Sequence, residues 1–439
     1  MEPTVDPHEA IRKEIGRIRI IDTHEHLVSE QERVATEVDP LSQFFLHYAS
    51  SDLVSAGMSR EELDFIRDPN KPLEKRWERF APYWEKIKNT GYAKAINLAI
   101  EGLYGIEELN EDTYVDLTWK MRKVNKEGLY RWVLKERAGI ELSILDDERV
   151  DVDRSLFAPV LRFEEFIMVR DYLGLKELEK ICGAPIHTFT DLLRGFRAYF
   201  EKSKESIVGV KIGLAYSRPL RFEKVTFGEA EGVFNRIYSQ RNFIKVWIRG
   251  HKLRTPAPLS MEETRPLQDF MVHYLIQMAS KQGLPIQIHT GLQEGNANIV
   301  RNSDPTLLTN LFLEYDQARF DLFHASYPYT SEAAVLAKNF QNVYLDMCWF
   351  HVVSPYKARE TLKEWLDTVP SNKILGFGGD YRFVEGVYGH SRIARRNIAR
   401  VLMDSVDAGD MKLKEALKLA RLLLHDNAYN LFLKGRTLT

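Results

Sequence analysis

The chain has little cysteine, only Cys182 and Cys348 in 439 residues. Two thiols cannot build a disulfide framework, so the hydrophobic core must supply the stability and a reducing, cytoplasmic location is expected. Cys348 lies in an apolar run and is predicted to be a buried packing residue. An excess of either charge is also missing, since the formal net charge is -2. We therefore expect no nucleic-acid groove and no membrane contact, and a small-molecule substrate as the partner.

Long hydrophobic runs are absent as well. No stretch approaches the roughly 18 apolar residues of a transmembrane helix, and the first residues do not have the pattern of a secretory leader. Hydrophobic residues make up 44% of the chain and charged residues 28%, which is typical of globular proteins. The length suits one barrel-sized domain with an insertion, and we predict a single domain over residues 1–439.

Short apolar runs alternate with helical patterns along most of the chain. A helix is predicted from Met261 to Gln282, with a capping box at Ser260 and Glu263 and a terminating Gly283. Most of the runs are continuous rather than alternating, as in strands that helices cover on the outside. Their alternation with helices predicts an α/β fold, a (β/α)₈ TIM barrel. The eight candidate strands are residues 18–21, 140–145, 158–162, 207–215, 284–289, 320–324, 343–348 and 374–379.

Residues 40–137 interrupt this rhythm with helical patterns and large aromatics such as Trp77, Trp84, Trp119 and Trp132. The stretch is too long for a loop between a strand and a helix. We predict a helical insertion after the first strand, packed over the barrel mouth. Its aromatics form its own core, line a substrate pocket, or do both; they could also supply a homo-oligomer interface.

Polar side chains cluster at the predicted carboxyl ends of the strands, where barrel enzymes place their chemistry. In the first strand, the His-x-His spacing puts both imidazoles on one face. A single histidine at a strand end is usually structural, whereas several at corresponding strand ends indicate a shared site. The candidate residues of this site are His24, His26, Lys211, His289, His324 and Asp380.

Imidazoles and a carboxylate suit Zn²⁺ or another divalent metal, one or two per chain, with a position left for water. Asp380 is expected to bind metal and accept the proton of that water, and His324 to polarise the substrate or protonate the leaving group. Asp22 has the strand parity of the two first histidines. It either orients one of them or makes an unrelated internal hydrogen bond.

Lys211 leaves two alternatives open. Small residues, Gly209, Gly213 and Ala215, share its strand parity, as a lysine that points into a crowded barrel requires. A buried lysine loses its proton readily and could then take up CO₂ as a carbamate that bridges two metals. As a plain amine it would hold a substrate carboxylate or pair with Asp380.

These strand ends resemble the amidohydrolase superfamily. More narrowly, the chain resembles the Amidohydro_2 type that forms the amidohydrolase half of plant nodulin and fungal FluG-like proteins. The likeness covers nearly the whole chain and is vague about the substrate. It rests on the first-strand His-x-His, on Val208-Gly209-Val210-Lys211 with Ala215-Tyr216, on Gln287-Ile288-His289-Thr290-Gly291, and on His324-Ala325-Ser326-Tyr327-Pro328 followed by Asn342-Val343-Tyr344-Leu345-Asp346.

The resemblance implies a metal at the barrel mouth, bound by His24, His26, His289 and Asp380. It implies that His324 is a second-metal ligand or an acid/base, and that Lys211 is the bridging carbamate if there is one. The long insertion and Asp380-Tyr381-Arg382 also resemble the uronate isomerase branch, where an arginine after the last aspartate helps hold a sugar acid.

The candidate substrate contacts are Tyr216, Arg218 and Arg382. A guanidinium grips a carboxylate through two parallel hydrogen bonds, although a loop arginine is as often part of a surface ion pair. The leading hypothesis is a metal-dependent hydrolase acting on a small polar substrate that carries a carboxylate. The alternatives are a uronate isomerase-like or decarboxylase reaction at the same metal site, and a non-catalytic binding protein on a degenerate barrel.

Overall fold

Eight parallel strands form the centre of the molecule, in the order β1 to β8 around one sheet. The computed structural model describes residues 6–241 and 257–436, so residues 1–5, examined above for a leader, lie outside it. The strands are β1 (Ile20–Glu25), β2 (Ile140–Asp146), β3 (Phe157–Arg162), β4 (Gly209–Ile212), β5 (Ile286–Ile288), β6 (Phe320–Leu322), β7 (Val343–Asp346) and β8 (Ile374–Leu375).

The backbone after β8 returns to β1 and closes the sheet. The Thr23 amide donates to the Phe377 carbonyl at 3.1 Å, and the Asp380 amide donates to the His24 carbonyl at 2.7 Å. Parallel neighbours in register bring all carboxyl ends to one rim of the barrel. The predicted (β/α)₈ barrel is confirmed.

All eight predicted strands are present, and most are shorter than predicted. The run 207–215, for example, is a strand only over Gly209–Ile212. Beyond that point the backbone leaves the sheet and forms a 3-10 turn over Leu214–Tyr216. The predicted capping box of Ser260 and Glu263 is observed on the helix Met261–Lys281.

Helices surround the barrel and fill the interval between β1 and β2. In the described ranges the α-helices are α1 (Pro7–Arg17), α2 (Glu30–Ala35), α3 (Pro40–Phe44), α4 (Tyr48–Ser55), α5 (Arg60–Arg67), α6 (Leu73–Ile87), α7 (Gly91–Tyr104), α8 (Tyr114–Val124), α9 (Glu164–Ile167), α10 (Tyr172–Cys182), α11 (Phe189–Ser203), α12 (Phe227–Ser239), α13 (Met261–Lys281), α14 (Thr309–Glu314), α15 (Thr330–Asn339), α16 (Phe350–Val353), α17 (Pro355–Thr368), α18 (Val384–Asp407) and α19 (Leu413–Arg421).

The helices between β1 and β2 have an aromatic core of their own. Trp84 packs against Phe45 and Phe80, with ring centroids 5.8 and 5.7 Å apart, and Trp77 stacks on Tyr114 at 4.7 Å. Most large aromatics of this stretch are therefore packing residues. Trp119 is the exception: its side chain is 60% exposed.

Two buried ion pairs stabilise the insertion and fasten it to the barrel. Asp39, which caps α3, receives Arg76 at 2.8 Å, and Arg33 on α2 contacts Glu385 on α18 at 2.7 Å. Each of these four side chains is at most 3% exposed. Removing one partner of such a pair leaves an uncompensated buried charge, so the first pair stabilises the insertion internally and the second holds it against α18.

Across residues 6–241 and 257–436, every helix is too short or too polar to cross a lipid bilayer.

Candidate metal centre

His24 and His26 lie where β1 ends, with their Nε2 atoms 3.3 Å apart. The Nδ1 of His26 is 2.8 Å from the backbone carbonyl of Asp146. Because a carbonyl only accepts, this Nδ1 carries a proton, and the Nε2 of His26 faces the Nε2 of His24 and, at 3.1 Å, the Oδ1 of Asp380. The Nδ1 of His24 is buried and has no partner among the described residues. Both imidazoles thus offer a nitrogen suited to a metal.

Asp146, at the end of β2, joins these two histidines. Its Oδ2 is 3.5 Å from the Nε2 of His24, and the ligand atoms of His24, His26 and Asp146 all lie within 4.8 Å of one another. The carboxylate also receives Nε and Nη2 of Arg162, at 2.9 and 2.7 Å. Burial favours a raised pKa for Asp146, but the Arg162 charge outweighs it and lowers the pKa. Asp146 is therefore an anion at neutral pH.

Asp380 lies between two groups of candidate ligands. Its Oδ1 is 3.1 Å from the Nε2 of His26, and its Oδ2 is 3.9 Å from the Nδ1 of His324. Burial acts to raise the pKa of this carboxyl, but the hydrogen bond from His26 and the nearby imidazoles hold it well below the ordinary value. Its φ of +61° is unusual for aspartate, and such backbone strain often accompanies a functional side chain.

His289 and His324 present a clear test of whether a cation fits. The Nε2 of His289 faces the Leu292 carbonyl at 3.1 Å, and the Nδ1 of His324 faces the Cys348 carbonyl at 3.1 Å, so both of these nitrogens carry the proton. The remaining nitrogens, Nδ1 of His289 and Nε2 of His324, face each other at 3.0 Å. Two lone pairs this close repel unless a cation lies near them, and the residues therefore fit a divalent metal.

Cys348 is buried, as predicted, but packing does not describe it fully. Its Sγ forms a second group of candidate ligand atoms with His324 and Asp380. Burial, and then the charge of Asp380, raise the pKa of this thiol well above the ordinary value. Without a metal the group is a neutral thiol.

Lys211 points into the barrel from β4 and is 1% exposed. Its Nζ lies 3.3 Å from the centroid of the Phe323 ring. Burial lowers its pKa to about 8, although the charges of Asp146 and Asp380 act in the opposite direction. No carboxylate of the described residues lies within 4.0 Å of its ammonium, so the alternative in which Lys211 pairs with Asp380 is not observed.

Asp22 accepts hydrogen bonds from backbone amides and a hydroxyl, and it does not orient an imidazole ring. It accepts hydrogen bonds from the His24 amide at 3.2 Å, from the Gly379 amide at 2.9 Å and from the Ser143 hydroxyl at 2.9 Å. It thereby joins β1 to the segment that carries Asp380. Burial raises the pKa of Asp22 to about 6.

A cavity of about 400 Å³ opens beside the first ligand group and is lined in part by His26, Asp146, Arg162 and Arg382. Arg382 is exposed, and in the described residues no carboxylate lies within 4.0 Å of its guanidinium. The lining also includes Asp147 and Glu148, and Arg162 already pairs with Asp146, so Arg382 is the lining guanidinium that can receive an anionic group.

The other two predicted substrate contacts differ from each other. The Tyr216 ring packs 4.6 Å from that of His289, so it borders the site. Arg218 is buried, and it donates to Asp269 at 2.6 Å and to Gln268 at 2.8 Å. These contacts account for its charge, and it is not among the residues that line the cavity.

Sequence reasoning missed Asp146 and Arg162. The second predicted strand stopped at residue 145, one position short of Asp146, and Arg162 was treated only as a strand end. The rule that found His289 and His324 would have found both, because each is the last residue of its strand. No comparable pattern marks His47 and Tyr48, which reach the site from the insertion: the His47 ring is 6.5 Å from that of His26, and Tyr48 stacks on Trp349 at 4.2 Å.

Known proteins resemble this chain in sequence and in fold. The Amidohydro_2 family model, described as amidohydrolase, matches residues 251–433. The chain is 28% identical over 330 residues to the protein FluG of Emericella nidulans. The resemblance to the amidohydrolase superfamily is confirmed. The match covers 70% of this chain and 36% of FluG, so the chain spans about a third of that relative.

Solved structures share the fold over almost the whole chain. Uronate isomerase from Thermotoga maritima is 17% identical, with a TM-score of 0.77 and 97% of each chain covered. Glucuronate isomerase from Caulobacter crescentus is 18% identical, with a TM-score of 0.76 and coverage of 99% of this chain and 96% of the other. At these identities the likeness establishes the barrel fold and leaves the reaction open.

Proposed function

We propose that this protein is a metal-dependent hydrolase that acts on a small polar substrate carrying a carboxylate. The observation that carries the proposal is the convergence of the candidate ligands at one rim, next to a cavity with two arginines. His24, His26, Asp146 and Asp380 would hold one divalent metal. His289 and His324, with their facing lone pairs, would hold a second metal or complete the first site.

A bound divalent metal such as zinc would supply Lewis acidity and lower the pKa of water, so that hydroxide would be available for attack at neutral pH. Asp380 is ionised and touches the ligand groups, so its carboxylate is the group that accepts the proton of the attacking water. His324 is less suited to donate a proton. Its Nδ1–H is engaged by the Cys348 carbonyl and its Nε2 presents a lone pair. Ligand binding is therefore the better assignment for His324.

Arg382 is the group that would bind the substrate carboxylate. Arg162 lines the same cavity, but its Nε and Nη2 already donate to Asp146. That contact keeps Arg162 in place and leaves Arg382 available. Tyr48 and Trp349 stack on each other, and the Trp349 ring makes an edge contact with that of His324 at 5.2 Å. These aromatics would keep bulk water away from the reacting bond.

A second reaction, isomerisation of a uronate, uses the same parts without consuming water. Two observations favour it: Arg382 lies two residues after Asp380, and the fold likeness to two named isomerases covers nearly the entire chain. Both reactions require the metal and the carboxylate contact, and they differ in the fate of the water oxygen.

The test is turnover in H₂¹⁸O. Zinc-loaded protein is incubated with N-acyl amino acids, sugar-acid lactones and hexuronates, and products are analysed by mass spectrometry. Hydrolysis predicts ¹⁸O in the product, whereas turnover of a hexuronate without the label refutes hydrolysis and supports isomerisation. Metal analysis should find about one or two equivalents of a divalent metal, and full activity after its complete removal refutes both reactions.

A variant tests the carboxylate contact. Loss of a charge-assisted hydrogen bond costs about 1.5–3 kcal/mol, so Arg382→Gln should weaken kcat/KM for a carboxylate substrate by roughly 10- to 150-fold. The matched control is Arg60→Gln, an exposed arginine at the start of α5. Equal effects of the two variants would contradict the assignment of Arg382.

A further inference from the structure

A second cavity, of about 420 Å³, lies between α1, α7 and α18. It is at the opposite end of the barrel from the candidate metal centre. Arg395, which lines it, donates to the carbonyls of Ile18 and Ala138 at 3.0 and 3.1 Å, just before β1 and β2 begin. A volume of this size is within the range of small-molecule sites.

Five arginines line this cavity together with small and apolar residues, and none of its lining residues is acidic. The five are Arg12, Arg392, Arg395, Arg396 and Arg400. For a chain with a net charge of -2 this is a marked local concentration of one sign. A cavity that contains several guanidiniums and no carboxylate attracts anions.

One of the five arginines binds backbone carbonyls and has a structural role, and the other four are available to bind a ligand. Arg395 is 8% exposed and its guanidinium is engaged by backbone carbonyls. For Arg12, Arg392, Arg396 and Arg400, no side chain or carbonyl of residues 6–241 and 257–436 accepts a hydrogen bond or forms an ion pair. Within the described ranges, these four guanidiniums are therefore open to contact with an anion.

Their arrangement is unfavourable for the fold by itself. Arg392, Arg396 and Arg400 recur at i, i+4 and i+8 on α18, so adjacent members are about 6 Å apart along one face. Like charges at this spacing destabilise a helix. Burial, and then the charge of Arg392, lower the pKa of Arg395 to about 10. A bound anion would relieve this repulsion.

We propose that this cavity, hereafter the arginine cavity, is a binding site for a small molecule that carries two or more phosphate or carboxylate groups. Guanidiniums match the geometry of both groups and bind them through paired hydrogen bonds. A ligand with anionic groups several ångströms apart can contact neighbouring arginines of α18 and Arg12 of α1 at the same time. The site is independent of the metal centre and of the reaction performed there.

Calorimetric titration of the metal-loaded protein with two probes tests this, fructose 1,6-bisphosphate for phosphates and benzene-1,3,5-tricarboxylate for carboxylates. Saturable binding of either probe with one site per chain is expected. Arg396→Gln/Arg400→Gln should weaken it at least about tenfold, and Arg12→Gln on a different helix should weaken it independently. Arg60→Gln/Lys281→Gln removes the same charge at exposed positions elsewhere and should change the affinity less than about twofold.

Three results would overturn the proposal. One is the absence of saturable binding of both probes at millimolar concentration. Another is affinity that Arg396→Gln/Arg400→Gln leaves intact, which would place the probe at Arg162 and Arg382 instead. The third is tighter binding of inorganic phosphate or of a hexaglutamate peptide than of either probe, which would exclude a small polyanion as the ligand.

Discussion

The buried pair of Asp39 and Arg76 makes the sharpest prediction for stability. The two guanidinium nitrogens donate to the two carboxylate oxygens at 2.8 and 3.0 Å, and the side chains are 2% and 1% exposed. In Asp39→Asn, an amide NH₂ replaces one of these oxygens, so a donor faces a donor and the Arg76 charge stays buried without compensation. Breaking a buried pair in this way costs about 3–5 kcal/mol.

The cap on α3 should survive, because Oδ1 of Asp39 accepts from the Leu41 and Ser42 amides and asparagine retains one such oxygen. The loss of stability in Asp39→Asn therefore measures the broken ion pair and not a lost helix cap. With an unfolding entropy of about 2.1 cal/mol/K per residue, 439 residues give about 0.9 kcal/mol/K, so a loss of about 4 kcal/mol lowers Tm by about 4 °C.

Differential scanning calorimetry measures this shift. The control Glu177→Gln breaks an exposed pair with Lys180, whose side chain is 71% exposed, and should lower Tm by less than about 1 °C. Asp39→Asn/Arg76→Met removes the stranded charge and should recover at least half of the loss. An unchanged Tm in Asp39→Asn would refute the reasoning, since it would mean that the buried pair contributes no net stability.

Three further predictions concern the site and the core. Asp146→Asn should weaken zinc binding by at least about tenfold in a competition titration with a chromophoric chelator, because the anion near both histidines is lost; unchanged affinity would remove Asp146 from the centre. Burial lowers the pKa of His351 to about 4, so the unfolded chain takes up a proton that the folded chain does not. The free energy of unfolding should therefore fall by up to about 3 kcal/mol as the pH decreases from about 6.5 to 4, and this residue should have no such effect above about pH 6.5. In urea unfolding of His351→Gln, the free energy of unfolding should depend less steeply on pH over that window. Gly389→Ala should cost about 1–3 kcal/mol in urea unfolding because its Cβ would lie 2.0 Å from the Ala95 carbonyl oxygen, whereas Gly232→Ala, with open space around it, should be neutral or stabilising.

The sequence predicted the architecture well because barrel strands leave a local signal. Buried parallel strands are continuous apolar runs, and each of the eight was recognisable by itself. The same locality explains why His289, His324 and Asp380 could be placed at strand ends. The exact strand ends are less well marked: the apolar run of the second strand ends at Leu145, whereas the strand itself continues to Asp146, which pairs with Val160.

Interactions between segments that are distant in the chain leave no local pattern in the sequence. The reach of His47 and Tyr48 into the site depends on how the insertion folds back, and the two buried ion pairs that hold it join residues far apart in the chain. The single-domain and homo-oligomer expectations depend on surfaces of this kind and stay predictions.

The sequence by itself determined the number and order of the strands, the rim that carries the candidate site, and the residue types of a candidate metal centre, because each follows from a short periodic pattern and the residue after it. Only the tertiary structure decided how these parts act. It set the proton positions of His26 and His324 through the backbone carbonyls of Asp146 and Cys348, which are distant in the chain. It also paired Asp146 with Arg162 and gathered Arg12 with the arginines of α18 around one cavity. Those outcomes depend on distances between segments remote in the chain, which packing of the whole barrel determines and no local pattern encodes.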